Sequence, residues 1–324
     1  MVEMYAKVRS FINTIVERFF STDKQVERTI LFAGLALVLV AGSFASYYNF
    51  DRYYSNQQPV SQRTVDAAEQ AVKDDPTDLD TRLDLAETYL HFERYDDALA
   101  QASQVFIADP TRQRAWLVIG LANALNGKPA GAINYLTNYV NAFENEEMPG
   151  LDKELQEAAY FLGTSYLQLG QPGKAIFPLE QAVGWNQMDA DAIYQLGLAY
   201  AGVGRYEDAV NMFASAVNFV PNFTEAYQSM AEVYDAGNKP ELGDYARGML
   251  AYSQKDYSSA RELLLNAKEV YPNFAPIFVG LGLTYEAGND LKNAKASFDT
   301  AISIDPNNYT AVRGVERLAA LLNQ

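Results

Sequence analysis

ADAIYQLGLAYAGVGRYEDAVNMFASAVNFVP, residues 190–221, decides how the rest of the chain is read. Two amphipathic runs of about 14 residues flank Gly202-Val203-Gly204, the pattern of two helices joined by a tight turn. Gly197 in the first run and Ala209 in the second leave room for the two helices to approach closely. Tyr200 is placed to fill space between one pair and the next. Pro221 closes the second run, because proline cannot continue a helix. One such pair cannot bury its apolar face alone, so copies must stack.

Working outward, the pattern recurs. Pro76 and Pro110 are 34 residues apart, and so are Pro272 and Pro306. Repeat starts fall at Leu79, Gln113, Gln156, Ala190, Glu241 and Ala275. Position 8 is then Ala86, Gly120, Gly163, Gly197, Gly248 and Gly282, and position 20 is alanine every time, from Ala98 to Ala294. Aromatics such as Tyr89, Tyr166, Tyr200 and Tyr285 occupy position 11.

Trp116 with Gly120, Leu196-Gly197-Leu198-Ala199-Tyr200, Gly204-Arg205-Tyr206-Glu207-Asp208-Ala209 and Leu281-Gly282-Leu283-Thr284-Tyr285 carry a resemblance to the tetratricopeptide repeat (TPR) family. It extends over roughly residues 60–324. The resemblance implies an all-α fold, a right-handed superhelical solenoid of antiparallel helix pairs. It also implies a concave surface lined by helix A positions 2, 5, 9 and 12. Here those positions give Leu117, Leu121, Tyr160, Leu167, Tyr194, Leu198, Leu242, Tyr245, Met249 and Tyr252 as a partner-binding groove. Glu87, Glu157, Asp191, Glu225, Glu232 and Asp235 are its acidic members. Family members that bind chaperone tails clamp a carboxylate with groove cations. Only Arg114, Arg313 and Arg317 occur here, scattered, so the groove suits an amphipathic helix or an extended segment of another protein. Packing between helices accounts for the same Tyr and Leu side chains equally well.

Three departures from the period stand out. Residues 63–75 resemble a lone helix B starting the solenoid. Gly120 and Gly163 are 43 residues apart, an insertion of nine around residues 141–154 that is rich in acids. Residues 223–236 form another helix A, yet the next start, Glu241, comes only half a repeat after Thr224. Pro240–Ser253 is therefore expected to serve as helix B for one pair and helix A for the next, with a break in solenoid geometry there. A single helix A-like run, residues 308–324, is expected to cap the array.

Ahead of the repeats, residues 29–50 carry no charge, a length that spans a hydrocarbon core as one helix. Arg9, Arg18, Lys24 and Arg28 precede it and only Arg52 and Arg63 follow closely. This bias places the N-terminus in the cytoplasm and the repeats outside. Residues 1–20 pattern as an amphipathic helix that lies on lipid or against a partner subunit. The expected divisions are a cytoplasmic helix at 1–28, a transmembrane helix at 29–50, a linker at 51–59 and the solenoid at 60–324.

Among 324 residues there is no cysteine and one histidine, with 25 Lys+Arg against 41 Asp+Glu and a net charge of −16. These counts exclude disulfide scaffolds, thiolate or imidazole metal sites and cysteine nucleophiles. Residues 1–50 are net +1, so the acidity sits in the remainder, which disfavours nucleic acid. No phosphate loop or catalytic constellation is present, and Asp78/Asp80 and Asp189/Asp191 read as helix caps. The expectation is a single-pass, membrane-anchored TPR scaffold or accessory subunit, with no cofactor, no metal and no enzymatic activity. Its partners would be protein subunits, with the bilayer met through 29–50. An extracytoplasmic chaperone or translocon accessory factor that binds client polypeptides is the alternative.

Overall fold

The computed structural model describes residues 59–143 and 151–322, together with Arg9, Thr14, Ala33, Gly34, Leu37 and residues 40–47. The chain divides into two compact units, Met1–Gln70 and Ala71–Gln324. In the first unit Ala33, Gly34, Leu37 and residues 40–47 are helical and exposed. The remainder of the expected span at 29–50, the linker up to Gln58 and nearly all of the expected amphipathic helix lie outside the described residues. Among the described residues no helix is long and apolar enough to cross a membrane.

Among the described residues from Val60 onward every regular element is a helix. Helix α1 is Val60–Asp74. It is followed by α2 (Leu79–His91), α3 (Tyr95–Ala108), α4 (Gln113–Leu125), α5 (Pro129–Phe143), α6 (Lys153–Gln168) and α7 (Pro172–Trp185). Next come α8 (Ala190–Gly202), α9 (Tyr206–Phe219), α10 (Thr224–Ala236), α11 (Pro240–Ser253) and α12 (Tyr257–Val270). The last are α13 (Ala275–Ala287), α14 (Leu291–Ile304) and α15 (Tyr309–Leu322). From α2 to α15 each helix packs on the next, and α2, α4, α6 and α8 also touch in series, as do α11, α13 and α15. This is a solenoid of stacked helix pairs.

Close approach within a pair depends on one contact. A Cβ at Gly197 would lie 2.5 Å from the Phe213 ring, 16 residues on in the facing helix. The same offset joins Gly120 to Leu136, Gly163 to Leu179, Gly248 to Leu264 and Gly282 to Phe298. All five partners are fully buried. Where position 8 is Ala86, the residue 16 later is Ala102, also fully buried. Glycine therefore faces a large side chain and alanine faces alanine, which keeps the interior filled without overlap.

The turn inside each pair is equally uniform. Position 15 is left-handed in all seven: Glu93, Gly127, Gly170, Gly204, Asn238, Lys255 and Asn289, with φ from 56° to 78°. The next N–H returns to the carbonyl of position 11, as in Arg205 N to Tyr200 O at 2.9 Å and Lys239 N to Tyr234 O at 2.8 Å. This bond ends the first helix of each pair by satisfying a carbonyl that has no partner within it. Helix starts use aspartate. Asp189 accepts from the N–H groups of Asp191 and Ala192, and Asp152 from those of Glu154 and Leu155.

The half-repeat behaves as its spacing predicts. Asn238 and Lys255, at the two ends of α11, both make the turn found inside a pair. Helix α11 packs closely on both α10 and α12. As helix B of α10 it brings Gly243 to position 20 and Arg247 to position 24. As helix A of α12 it sets Gly248 against Leu264. Arg247, in the place of a core residue, binds Asp235 of α10 and Asp244 at 2.8 Å each. The nine-residue insertion is absorbed partly by α6, which begins three residues before the repeat start at Gln156.

Candidate partner groove

The ten expected groove residues do not form one surface. Leu117 and Leu121 are buried, 5% and 3% exposed, in a core cluster with Leu136, Tyr139 and Leu155. Tyr160 lies half-buried, edge-on to Phe161, and Leu167 and Leu198 pack partly buried against the central core. Burial raises the Tyr160 phenol pKa, and Asp191 and Asp189 push the same way. Tyr194 of α8 is held by three contacts. Its hydroxyl meets Ser229 Oγ of α10 at 3.1 Å, and its ring packs on Phe213 and Phe223. Leu242, 9% exposed, faces a cavity of about 520 Å³ shared with Tyr206, Val233 and Lys239.

Tyr245, Met249 and Tyr252 do come together. They line a groove of about 470 Å³ whose walls also come from the end of α9, the α9–α10 loop, α10, α13 and the start of α15. Tyr227 contributes from α10, and Val279 and Leu283 from α13. Asn218 and Asn222 stand at one side. The Tyr245 ring packs edge-on to Phe274 and the Tyr252 ring lies against Tyr257. Burial pushes the Tyr227 phenol up to about 12, aided by Tyr252. Tyr245 is driven higher by burial, then by Tyr227 and Tyr234. These phenols are neutral and can both donate and accept at physiological pH.

The family positions did not single out Tyr227, Asn218 or Asn222, because the extra helix α10 brings the end of α9 into the wall. The recurring Pro-Asn of the inter-repeat loops, Pro221-Asn222 here, was the available signal. Asn308, from a later Asn-Tyr-Thr, also lines the groove, but its side chain caps α15 by accepting from Ala311 N at 3.1 Å.

Electrostatics divide the inner helices by region. Near the start, Arg114 of α4 grips Glu87 and Asp84 of α2, and Arg112 pairs with Asp80. Near the end, Arg317 of α15 makes two 2.6 Å bonds to Glu286 of α13. In the middle Glu157, Asp191 and Glu225 form no ion pair with any described residue. Among the described residues no group of three His, Asp or Glu side chains is placed to hold a metal.

The fold is an array of stacked helix pairs, the arrangement expected of tetratricopeptide repeats. A family model described as tetratricopeptide repeat matches residues 62–122, and a second of the same description matches 156–187, 190–222 and 275–308. The chain carries these repeats; the segment with the half-repeat falls between two matches. A curated relative, type IV pilus assembly protein PilF of Pseudomonas aeruginosa, is 27% identical over 136 residues, covering 36% of this chain and 54% of that protein. The match thus reaches about half of the relative's length. Among solved structures, a crystal structure of MamA protein is 23% identical with a TM-score of 0.49, covering 56% of this chain and 93% of that one. The crystal structure of the APC/C hetero-tetramer Cut9-Hcn1 is 19% identical with a TM-score of 0.43, covering 80% of this chain and 46% of that one.

Proposed function

We propose that the chain is a membrane-anchored TPR scaffold, an accessory subunit that holds partner proteins in or on a membrane or cell-envelope complex. Residues 29–50 are the single span, with the N-terminus in the cytoplasm and residues 60–324 outside. The work is binding and positioning, without catalysis. The observation that carries this reading is the open groove around Tyr245, Met249 and Tyr252 in a stacked-repeat scaffold. The uncharged run of 29–50 supports the anchor, and a relative named for pilus assembly supports an assembly role. Tyr160, Leu167, Tyr194 and Leu198 extend the binding face along the preceding helices. Leu117 and Leu121 belong to a separate core cluster and Leu242 to a neighbouring cavity, where they support the helices that carry the binding face.

Affinity purification of the tagged chain in mild detergent tests the scaffold. A stoichiometric partner is the expected result. Recovery of the chain alone overturns the reading, and recovery of many clients in small amounts moves it to an extracytoplasmic chaperone or translocon accessory factor. Topology is tested separately, because the chain lacks cysteine. Ser258→Cys should react with a membrane-impermeant maleimide on intact cells, and Ser10→Cys should react only after lysis. The reverse pattern would invert the anchor.

A further inference from the structure

Helices α2, α4, α6 and α8 touch in series on one side of the stack, and α3, α5, α7 and α9 alternate with them on the other. The outer faces of these second four are almost free of charge. Beyond their first turns they carry one charged residue, Glu180, which accepts a 2.6 Å hydrogen bond from the Tyr200 hydroxyl. Of the first-turn charges, Asp96 pairs with Lys128, Asp97 with Arg94 and Asp208 with Arg205. Exposed positions hold amides instead: Gln104 on α3, Asn134, Asn138 and Asn141 on α5, and Asn211 on α9. Ile107 and Phe177 project among them, 80% and 62% exposed. Composition does not account for this, since the chain as a whole is 20% charged with a net charge of −16. The later helix α12, by contrast, exposes Arg261, Glu262, Lys268 and Glu269.

We propose that this outer face pairs with the same face of a second copy of the chain about a twofold axis; the proposal depends on neither the groove nor the scaffold reading. A different subunit could recognise so acidic a chain through cations of its own. A second copy cannot, because it carries the same −16 and is repelled wherever acids meet acids. The region where the chain can meet itself is the region without charge. A twofold contact also sets each patch against its own likeness, so its groups must be self-complementary. Carboxamides are, since each both donates and accepts. Ile107 and Phe177 supply apolar anchors, and loss of charge is what marks the centre of an interface. The area is sufficient as well. The four helices have 14 or 15 residues, so each is about 21 Å long and covers a strip about 10 Å wide. Together they offer about 800 Å², the contribution of one partner to an interface of standard size.

The test is sedimentation equilibrium of the full chain in density-matched detergent, which reads the number of chains per particle. Two chains are the expected result. Asn138→Glu and Phe177→Glu each place a carboxylate on the face and a second one on its copy, and each should weaken self-association at least about tenfold. Asn266→Glu, the same change at an exposed position of α12, should leave it as it was. All three sites are exposed, and helicity by circular dichroism checks that each variant is folded. A wild-type chain that stays single, pairing that survives both changes on the outer face, or equal loss with Asn266→Glu overturns the proposal. Detergent purification keeps it apart from the scaffold. A single chain whose Asn138→Glu variant loses a different, stoichiometric protein gives the face to that protein, so the pairing falls and the scaffold stands. Two chains per particle with no other protein recovered leaves the pairing in place and removes the scaffold.

Discussion

Helices α8 and α9 form a pair by the rule, and α10 and α11 form one against it. In the first, Gly197 lies under the fully buried ring of Phe213, and the fit is steric. In the second, the close contact is made by Gly243, where a Cβ would lie 2.5 Å from Asp235 Oδ1 and 3.0 Å from an Arg247 nitrogen. Both are ends of movable, partly exposed side chains. The regular pair is locked by volume. At the corresponding contact the half-repeat carries an ion pair on its rim, while buried Met230, Tyr234, Leu242 and Ala246 belong to the core that packs the two helices. A helix shared by two pairs cannot give both a large buried residue at the same contact.

Gly197→Leu should break the regular pair most severely. Overpacking a filled core costs about 1–3 kcal/mol, and leucine against an immobile ring belongs at the top of that range. Denaturant melting measures it, and an unchanged midpoint would contradict the register. Alkaline pH should act next. The phenols of Tyr227 and Tyr234 are held up to about 12, so the folded state keeps protons that the unfolded chain releases near 10. Their contribution is complete below about pH 10 and is lost as pH rises through about 12, each tenfold gain in proton affinity being worth ~1.4 kcal/mol. Circular dichroism and tyrosinate absorbance should therefore change together in that window. Tyrosinate appearing fully near pH 10, with helicity intact, would refute the burial.

Smaller effects sharpen the contrast. Gly197→Ala should destabilise by about 1–2 kcal/mol, and Phe213→Leu in the same chain should recover part of that loss, a coupling of about 0.5 kcal/mol or more. Strict additivity would mean that the two residues do not meet. Gly243→Ala should go the other way, neutral or stabilising by up to about 1 kcal/mol, since Asp235 can move and alanine favours helix. Loss of more than about 1 kcal/mol there would show that the half-repeat is as tightly filled as its neighbours. Lys255→Gly, relieving a left-handed lysine at φ 65°, should stabilise by at most about 1 kcal/mol. The same change at Asn238 should do less, because asparagine tolerates that conformation.

Much of this architecture was legible in the sequence. Glycine at position 8, alanine at position 20 and the 34-residue period report local spacing within one helix pair. The half-repeat was legible as well, because Thr224 and Glu241 are too close for two full repeats. The groove was only partly readable. Tyr245, Met249 and Tyr252 followed from family positions, but those same positions named Leu117 and Leu121, whose side chains lie in the core. Position within a helix fixes the direction of a side chain. Whether that direction ends in solvent depends on the neighbouring helices.

The sequence by itself determined the all-helical repeat, its register and the absence of cysteine-based chemistry, since these depend on periodicity and composition. Tertiary structure decided what each small residue faces, from Gly197 with Phe213 to Ala86 with Ala102. It also decided that Tyr227, Asn218 and Asn222 share a groove with Tyr245. Those pairings join residues on different helices. They depend on α11 packing against both α10 and α12, and no periodicity within a single segment encodes that.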